Sequence, residues 1–119
     1  MAAALRASVN LRRDGGRVIV VLGDMLELGP TASEIHEEAG RLAAALGIDE
    51  LVGIGRHGAD LARGFEPSGR PARYWTDKSQ AAPHLAGRLT SRDVVLVKAS
   101  RGVGLESVAE ALLREGAVS

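Results

Sequence analysis

Two uninterrupted apolar runs constrain the fold of this chain more than any other feature of its sequence. Residues 18–22 read Val-Ile-Val-Val-Leu, and residues 94–97 read Val-Val-Leu-Val. Valine-rich runs without polar alternation are typical of strands covered on both faces in a parallel sheet. Shorter stretches at 51–54 and 73–75 are predicted as two further strands. The sequence therefore predicts a sheet whose two faces are both buried.

Amphipathic segments separate these runs. Residues 32–46 carry apolar side chains at three- and four-residue steps and charged ones on the other side, which predicts a helix. Thr31 is predicted to cap this helix, with Glu34 closing a capping box, and Gly47 to end it. A last helix is predicted from an apolar face that runs from Leu105 to Leu113, with Gly116 at its end. Weaker helical patterns at 56–64 and 77–89 are disturbed by Gly58 and Pro83.

This alternation of helices and strands predicts an α/β fold, three-layered and Rossmann-like, with a mostly parallel sheet flanked by helices. A chain of 119 residues fits one domain. We expect a single domain over 1–119, with a leading helix in 1–13 and an α/β core over 17–119. The Asp-Gly-Gly stretch at 14–16 is a candidate hinge between them.

Composition narrows the functional classes. Fifteen basic and fifteen acidic residues cancel, and no basic, aromatic-interleaved patch is visible, so we expect no nucleic-acid partner. The absence of cysteine removes disulfides, cysteine-rich metal sites and thiol nucleophiles. No apolar run approaches the roughly twenty residues of a membrane span, and the start lacks the features of a signal peptide. We therefore expect a cytoplasmic protein without a membrane span.

Two loops at the predicted carboxyl ends of strands carry the candidate chemistry, because ligands bind at that edge of open parallel sheets. The first loop, residues 23–29, offers carboxylate acceptors at Asp24 and Glu27. The second loop, residues 98–102, offers cations at Lys98 and Arg101 beside a helix start, which suits a carboxylate or a phosphate. Together the loops could hold a zwitterion.

Simpler roles are open for the same residues. Asp24 could satisfy backbone amides in a tight turn, and the two cations could be solvated or paired with the two acids. The apolar side chains of the first loop are expected to form a plug or a domain contact: Met25, Leu26, Leu28. Trp75 is expected to pack at the sheet edge. The three histidines are expected to take surface or capping roles rather than form a metal triad: His36, His57, His84.

Several motifs are absent. The sequence has no G-x-x-x-x-G-K-[ST] phosphate loop, no complete dinucleotide fingerprint and no G-x-S-x-G nucleophile elbow. A complete, self-sufficient active site is therefore not predicted.

Three stretches carry a family resemblance. The segments "VVLGDMLELG", "SEIHEEAGRLAAALGID" and "VLVKASRGVGLESVAEAL" resemble the C-terminal domain of the Mur ligase family, in its branch that adds D-alanyl-D-alanine to UDP-N-acetylmuramoyl tripeptide. The resemblance spans essentially the whole chain, and "ARYWTDKSQAAPHL" is similar to the family's aromatic-x-Asp segment. In the second loop Ala99 replaces the glycine of the family's Lys-Gly-Ser-Arg stretch.

The resemblance implies one domain of a three-domain enzyme of peptidoglycan synthesis, the others being a UDP-sugar-peptide domain and a central ATPase domain. In such enzymes ATP, with Mg²⁺, phosphorylates the peptide carboxylate, and the amine of the dipeptide then attacks the acyl phosphate. The resemblance implies that Lys98, Ser100 and Arg101 face D-alanyl-D-alanine. It implies that the first loop lines the cleft towards the nucleotide and the central domain, through Asp24, Met25, Glu27 and Leu28. We expect no catalytic residue, resident metal, bound cofactor or ligase activity in this chain alone.

Two alternatives are a receiver-like signalling domain and a stand-alone small-molecule binding module. Length, element order, an acid after the first strand and Lys98 after a late strand suit a receiver. A receiver also needs a phosphate-accepting aspartate after a middle strand, where this chain reads Gly53-Ile54-Gly55.

Overall fold

The computed structural model describes residues 1–25 and 29–98. Within them the helices are α1 (Ala2–Asn10), α2 (Ala32–Ala45), α3 (Gly58–Phe65) and α4 (Ala81–Ala86), and the strands are β1 (Val18–Gly23), β2 (Glu50–Ile54), β3 (Ala72–Trp75) and β4 (Val94–Lys98). Short 3-10 turns lie at 29–31, 66–68 and 78–80. All four predicted strands are confirmed, whereas the predicted last helix, ending at Gly116, lies outside the described residues.

The four strands form one parallel sheet in the order β3-β2-β1-β4. Strand β1 pairs with β2 on one side and with β4 on the other. At the carboxyl edge Gly23 lies opposite Ile54, and Leu22 lies opposite Lys98. The register therefore brings the ends of β1, β2 and β4 to one edge, as the sequence-based site prediction requires.

Alternate residues of β1 enter two separate cores. Val18, Val20 and Leu22 pack with α1, α2 and α3 on one face, and Ile19 and Val21 pack with α4 on the other. Every residue of β1 and β2 is buried, because helices cover both faces of the sheet. The three-layered α/β prediction is confirmed.

Helices α2 and α3 pack with their backbones in contact. A Cβ atom at Gly40 would lie 2.1 Å from the Leu61 carbonyl oxygen, and one at Gly64 would lie 2.0 Å from the Glu37 carbonyl oxygen. Only glycine fits such an approach. Since both helices follow parallel strands, this contact places their N-termini side by side at the carboxyl edge.

The predicted capping box of α2 is wrong. Thr31 is the N-cap residue, but its side chain makes no capping hydrogen bond, and its φ of −92° and ψ of 9° are not the extended values that such a cap requires. A 3-10 turn over 29–31 leads directly into the helix instead.

Helix α4 is shorter than its predicted span of 77–89. Residues 78–80 form a separate 3-10 turn, whose N-cap Asp77 accepts a hydrogen bond from the Ser79 amide, and the α-helix then covers 81–86. Pro83 is tolerated because it lies in the first turn, where its missing N–H has no helical partner. No helix within residues 1–25 and 29–98 is long and apolar enough to cross a bilayer.

Candidate functional site

The chain reverses its direction of travel across the sheet between β1 and β4. From β1 it proceeds outward through β2 to β3, and then returns past β1 to form β4. The helices that follow β1 and β2 lie on one face of the sheet, α2 and α3, whereas α4, which precedes β4, lies on the other face. Ligands of open parallel sheets bind beyond the carboxyl ends of the strands at such a switch point. The candidate site therefore lies beyond Gly23 and Lys98.

Exposed cations at this edge include Arg56, which follows β2, and Lys98, which lies at the switch point itself. Lys98 ends β4 opposite Leu22 and is exposed to solvent. Within residues 1–25 and 29–98 it forms no ion pair. Lys98 does not pair with Asp24, whose carboxylate instead accepts hydrogen bonds from two backbone amides.

Asp24 binds the backbone of the neighbouring loop. Its Oδ2 accepts a hydrogen bond from the Arg56 N–H at 2.9 Å, and its Oδ1 accepts one from the His57 N–H at 2.8 Å. Asp24 thus satisfies backbone amides, but those between β2 and α3 rather than those of its own turn. Gly55 permits this, since its φ is +98° and a Cβ there would lie 2.7 Å from Oδ2 of Asp24.

His36 holds the backbone of the first loop. Its Nε2 accepts a hydrogen bond from the Met25 N–H at 3.0 Å, and its Nδ1 lies 2.6 Å from the Ala32 carbonyl oxygen. A ring that donates from Nδ1 and accepts at Nε2 is the neutral tautomer. The side chain is fully buried, so the predicted surface or capping role of His36 is wrong.

His57 completes the contact between the two loops. Its ring stacks on that of His36 with centroids 4.5 Å apart, and its Nδ1 lies 2.9 Å from Oδ2 of Asp60. The hydrogen bond from His57 holds the pKa of Asp60 below its ordinary value, with help from Ser33 and Arg63 and against the opposing effect of burial. The His36 side chain of α2 thus meets the N-cap residue of α3.

Met25 lines an open groove of about 320 Å³ beside α1 and α2. The lining is largely apolar: Met1, Ala2, Met25, Ile35, Glu38, Ala39, Leu42. Met25 is half-buried there, which is consistent with either a plug or a domain contact.

Of the predicted site residues, the structure describes Asp24, Met25 and Lys98 and places them after the neighbouring strands β1 and β4. Glu27, Leu28, Ser100 and Arg101 lie outside the described residues. Sequence reasoning missed the role of His36. Its spacing from Ala39 and Ala43 was the available signal, because steps of three and four place all three on one helix face.

Metal-binding groups are not clustered in the described part of the chain. Residues 1–25 and 29–98 contain no group of three or more His, Asp or Glu side chains that could hold a metal ion. These residues therefore do not offer the carboxylate cluster that would hold Mg²⁺ by itself.

Comparison with known families gives a match over most of the chain. The family model described as "Mur ligase, glutamate ligase domain" matches residues 1–101. The UDP-N-acetylmuramoyl-tripeptide–D-alanyl-D-alanine ligase of Bacillus subtilis is 32% identical over 117 residues, which cover 95% of this chain and 25% of that protein. The chain therefore spans about a quarter of the length of this relative.

Two solved structures share the fold. MurF from Acinetobacter baumannii superposes with a TM-score of 0.81 at 24% identity, over 94% of this chain and 25% of that one. MurF ligase from Thermotoga maritima, in complex with ADP, has a TM-score of 0.74 at 29% identity, over 96% of this chain and 26% of that one. These findings favour a Mur ligase domain over a receiver-like domain or a stand-alone binding module.

Proposed function

Because this chain belongs to the Mur ligase family, we propose that it is the C-terminal, dipeptide-binding domain of an ATP-dependent ligase of peptidoglycan synthesis. The ligase would join D-alanyl-D-alanine to UDP-N-acetylmuramoyl tripeptide in the cytoplasm. One observation carries the assignment of the site: Lys98 lies exposed at the switch point of the sheet, without an ion pair among the described residues.

Lys98 is proposed to bind the carboxylate of D-alanyl-D-alanine. Lys98 has no carboxylate partner among residues 1–25 and 29–98 and could bind a ligand carboxylate; such charge-assisted hydrogen bonds are stronger than neutral ones. Ser100 and Arg101 follow within three residues in the sequence, so we propose that they complete the dipeptide site. Arginine suits this role because its planar fork binds a carboxylate through two parallel hydrogen bonds.

The first loop is proposed to line the cleft towards the nucleotide and the central domain, through Asp24, Met25, Glu27 and Leu28. Both oxygens of Asp24 are occupied by backbone amides, so Asp24 would act by fixing the loop rather than by touching a ligand. Met25 shares its groove with Met1 and Ala2. A central domain joined upstream of Met1 would therefore be attached next to Met25.

This chain is proposed to contribute orientation of the dipeptide and exclusion of water. ATP and Mg²⁺ would be held by other domains, and the UDP-sugar peptide would likewise bind elsewhere, because the sequence has no phosphate loop and residues 1–25 and 29–98 hold no cluster that could bind a metal. No step through ATP is therefore assigned to this chain, and we propose that residues 1–119 form one domain without ligase activity of its own.

The test is a titration of the isotope-labelled chain with D-alanyl-D-alanine and, separately, with magnesium ATP, followed by NMR chemical shifts. We expect the dipeptide to shift the signals of residues 98–102. Lys98→Ala should weaken this binding by about 10- to 100-fold, since a hydrogen bond to a charged group contributes about 1.5–3 kcal/mol.

Arg73→Ala is the matched control, because Arg73 is an exposed cation on β3, two strands away from β1. It should leave dipeptide binding unchanged. In the intact ligase the same two variants are compared by the KM and kcat for the dipeptide. Unchanged values for Lys98→Ala in both assays would contradict the proposed site.

A further inference from the structure

We propose that His36 is a positioning residue for the candidate site: its ring fixes the backbone at Met25 and thereby sets the direction in which the chain leaves β1. This inference rests on the proposed function for the role of the loop. The geometry of His36 itself stands independently of that role.

Both ring nitrogens of His36 are engaged with backbone groups. Nδ1 lies 2.6 Å from the Ala32 carbonyl oxygen, and Nε2 lies 3.0 Å from the Met25 amide nitrogen. Ala32 lies in the first turn of α2, so the bond at Nδ1 ties the ring to its own helix. The orientation of the ring is thus fixed, and Nε2 is aimed at the loop.

His36 is a polar side chain buried among small ones. The buried face of α2 consists of His36, Ala39, Gly40 and Ala43, and His36 has no exposed surface. Burying an imidazole carries a desolvation cost that only well-made hydrogen bonds offset. An aliphatic side chain would fill the same space without that cost, but it could not accept a hydrogen bond from Met25.

Asp24, the residue before Met25, is held by a different part of the chain. Asp24 is held through its side chain by the Arg56 and His57 amides, whereas Met25 is held through its backbone by His36. The stacking of His36 on His57 joins these two attachments. The exit of the chain from β1 is therefore fixed by α2 and by the loop between β2 and α3 together.

The experiment compares His36→Leu, which removes the acceptor, with His36→Gln, whose side-chain oxygen can reach the position of Nε2. The control is Leu85→Ala, a destabilising change in the core under α4 on the opposite face of the sheet. In the unmodified chain we expect an NMR scalar coupling between the Met25 amide nitrogen and Nε2 of His36. His36→Leu should shift the amide signals of residues 23–25 and 56–57, whereas His36→Gln should largely restore them and Leu85→Ala should leave them in place.

In the intact ligase, His36→Leu should lower the kcat roughly tenfold or more, because the first loop is proposed to line the cleft towards the nucleotide and the central domain, where small misplacements are costly. His36→Gln should recover most of that loss, and Leu85→Ala should not reproduce it at an equal loss of melting temperature. Absence of the coupling, or equal effects of His36→Leu and Leu85→Ala, would overturn the proposal. A normal kcat for His36→Leu while Lys98→Ala is impaired in its use of the dipeptide would overturn it as well, whereas normal kinetics for both variants, with the coupling present, would point to failure of the proposed function.

Discussion

The acidic residues at the two edges of the sheet have different sets of partners. At the amino edge each acidic residue that precedes or opens a strand is paired with an arginine: Asp49 with Arg12, Asp93 with Arg17, and Glu50 with Arg88. At the carboxyl edge Asp24 is held by backbone amides and Asp60 by His57 and Arg63. Lys98 forms no ion pair there with any residue the structure describes.

The ion pairs at the amino edge stabilise the fold, whereas a charge outside such pairs can bind a ligand. Arginine pairs at the amino edge join segments distant in sequence, as when Arg88 after α4 binds Glu50 at the start of β2. At the carboxyl edge Asp24 is satisfied by backbone amides and Asp60 by His57 and Arg63, and Lys98 forms no ion pair with a described residue. Four substitutions test this contrast.

The largest effect is expected from Arg88→Met. Glu50 is 1% exposed and its two oxygens accept hydrogen bonds from Arg88 at 2.6 and 2.8 Å. Removing the guanidinium leaves a buried carboxylate without its charged partner, so we expect the free energy of unfolding to fall by about 3 kcal/mol. Urea denaturation measures this, with Arg63→Met, which breaks a more exposed pair, as control. Equal losses of unfolding free energy in the two variants would mean that the ion pairs of the amino edge do not stabilise the fold more than those of the carboxyl edge.

Gly55→Ala should come next. It introduces a Cβ at a φ of +98° and 2.7 Å from the Asp24 carboxylate, and we expect a loss of about 2 kcal/mol. Gly69→Ala is the control, because Gly69 has a φ of +76° but nothing lies within 4 Å of the Cβ that alanine would add there. The difference between the two melting temperatures measures the contact with Asp24, and no difference would mean that the contact adds nothing to the backbone strain.

Asp24→Ala should lower the free energy of unfolding by about 1.5 kcal/mol, in the range found for lost helix caps, because two backbone amides lose their acceptor. Asp24→Asn, which retains one oxygen, should lose less. Thermal denaturation decides between this structural role and a purely functional one. An unchanged melting temperature together with a lower turnover of the intact ligase would make Asp24 a ligand-contacting residue.

The smallest effect concerns acid stability at the amino edge. Burial alone would raise the pKa of Asp93, but hydrogen bonds from Arg17 and from the Thr90 amide outweigh it and hold the pKa below its ordinary value. A carboxyl whose pKa is lower in the folded state contributes stability above its unfolded pKa and loses it as the pH falls through the folded one. Asp93→Asn should therefore flatten the decline of stability below about pH 4 in denaturation experiments at several pH values. An equally steep decline would assign the acid sensitivity to other carboxyls.

Much of the fold could be predicted because its signals are local. The run at 18–22 identified β1, and the apolar spacing over 32–46 identified α2 within one residue of its observed end. The prediction of a capping box was wrong because its sequence signature does not report the conformation of the 3-10 turn that precedes α2. The candidate site was predictable only as two loops, since nothing in the sequence reports that β4 pairs with β1.

The sequence by itself determined which segments are strands and helices, and which loops carry charge, because apolar periodicity and residue type act over a few neighbours. Only the tertiary structure decided the partners: that Asp24 binds the Arg56 and His57 amides, and that His36 accepts a hydrogen bond from Met25. Those contacts join atoms that the order of the strands and the packing of α2 on α3 bring together. Hydrogen bonding depends on such distances, which a linear pattern does not contain.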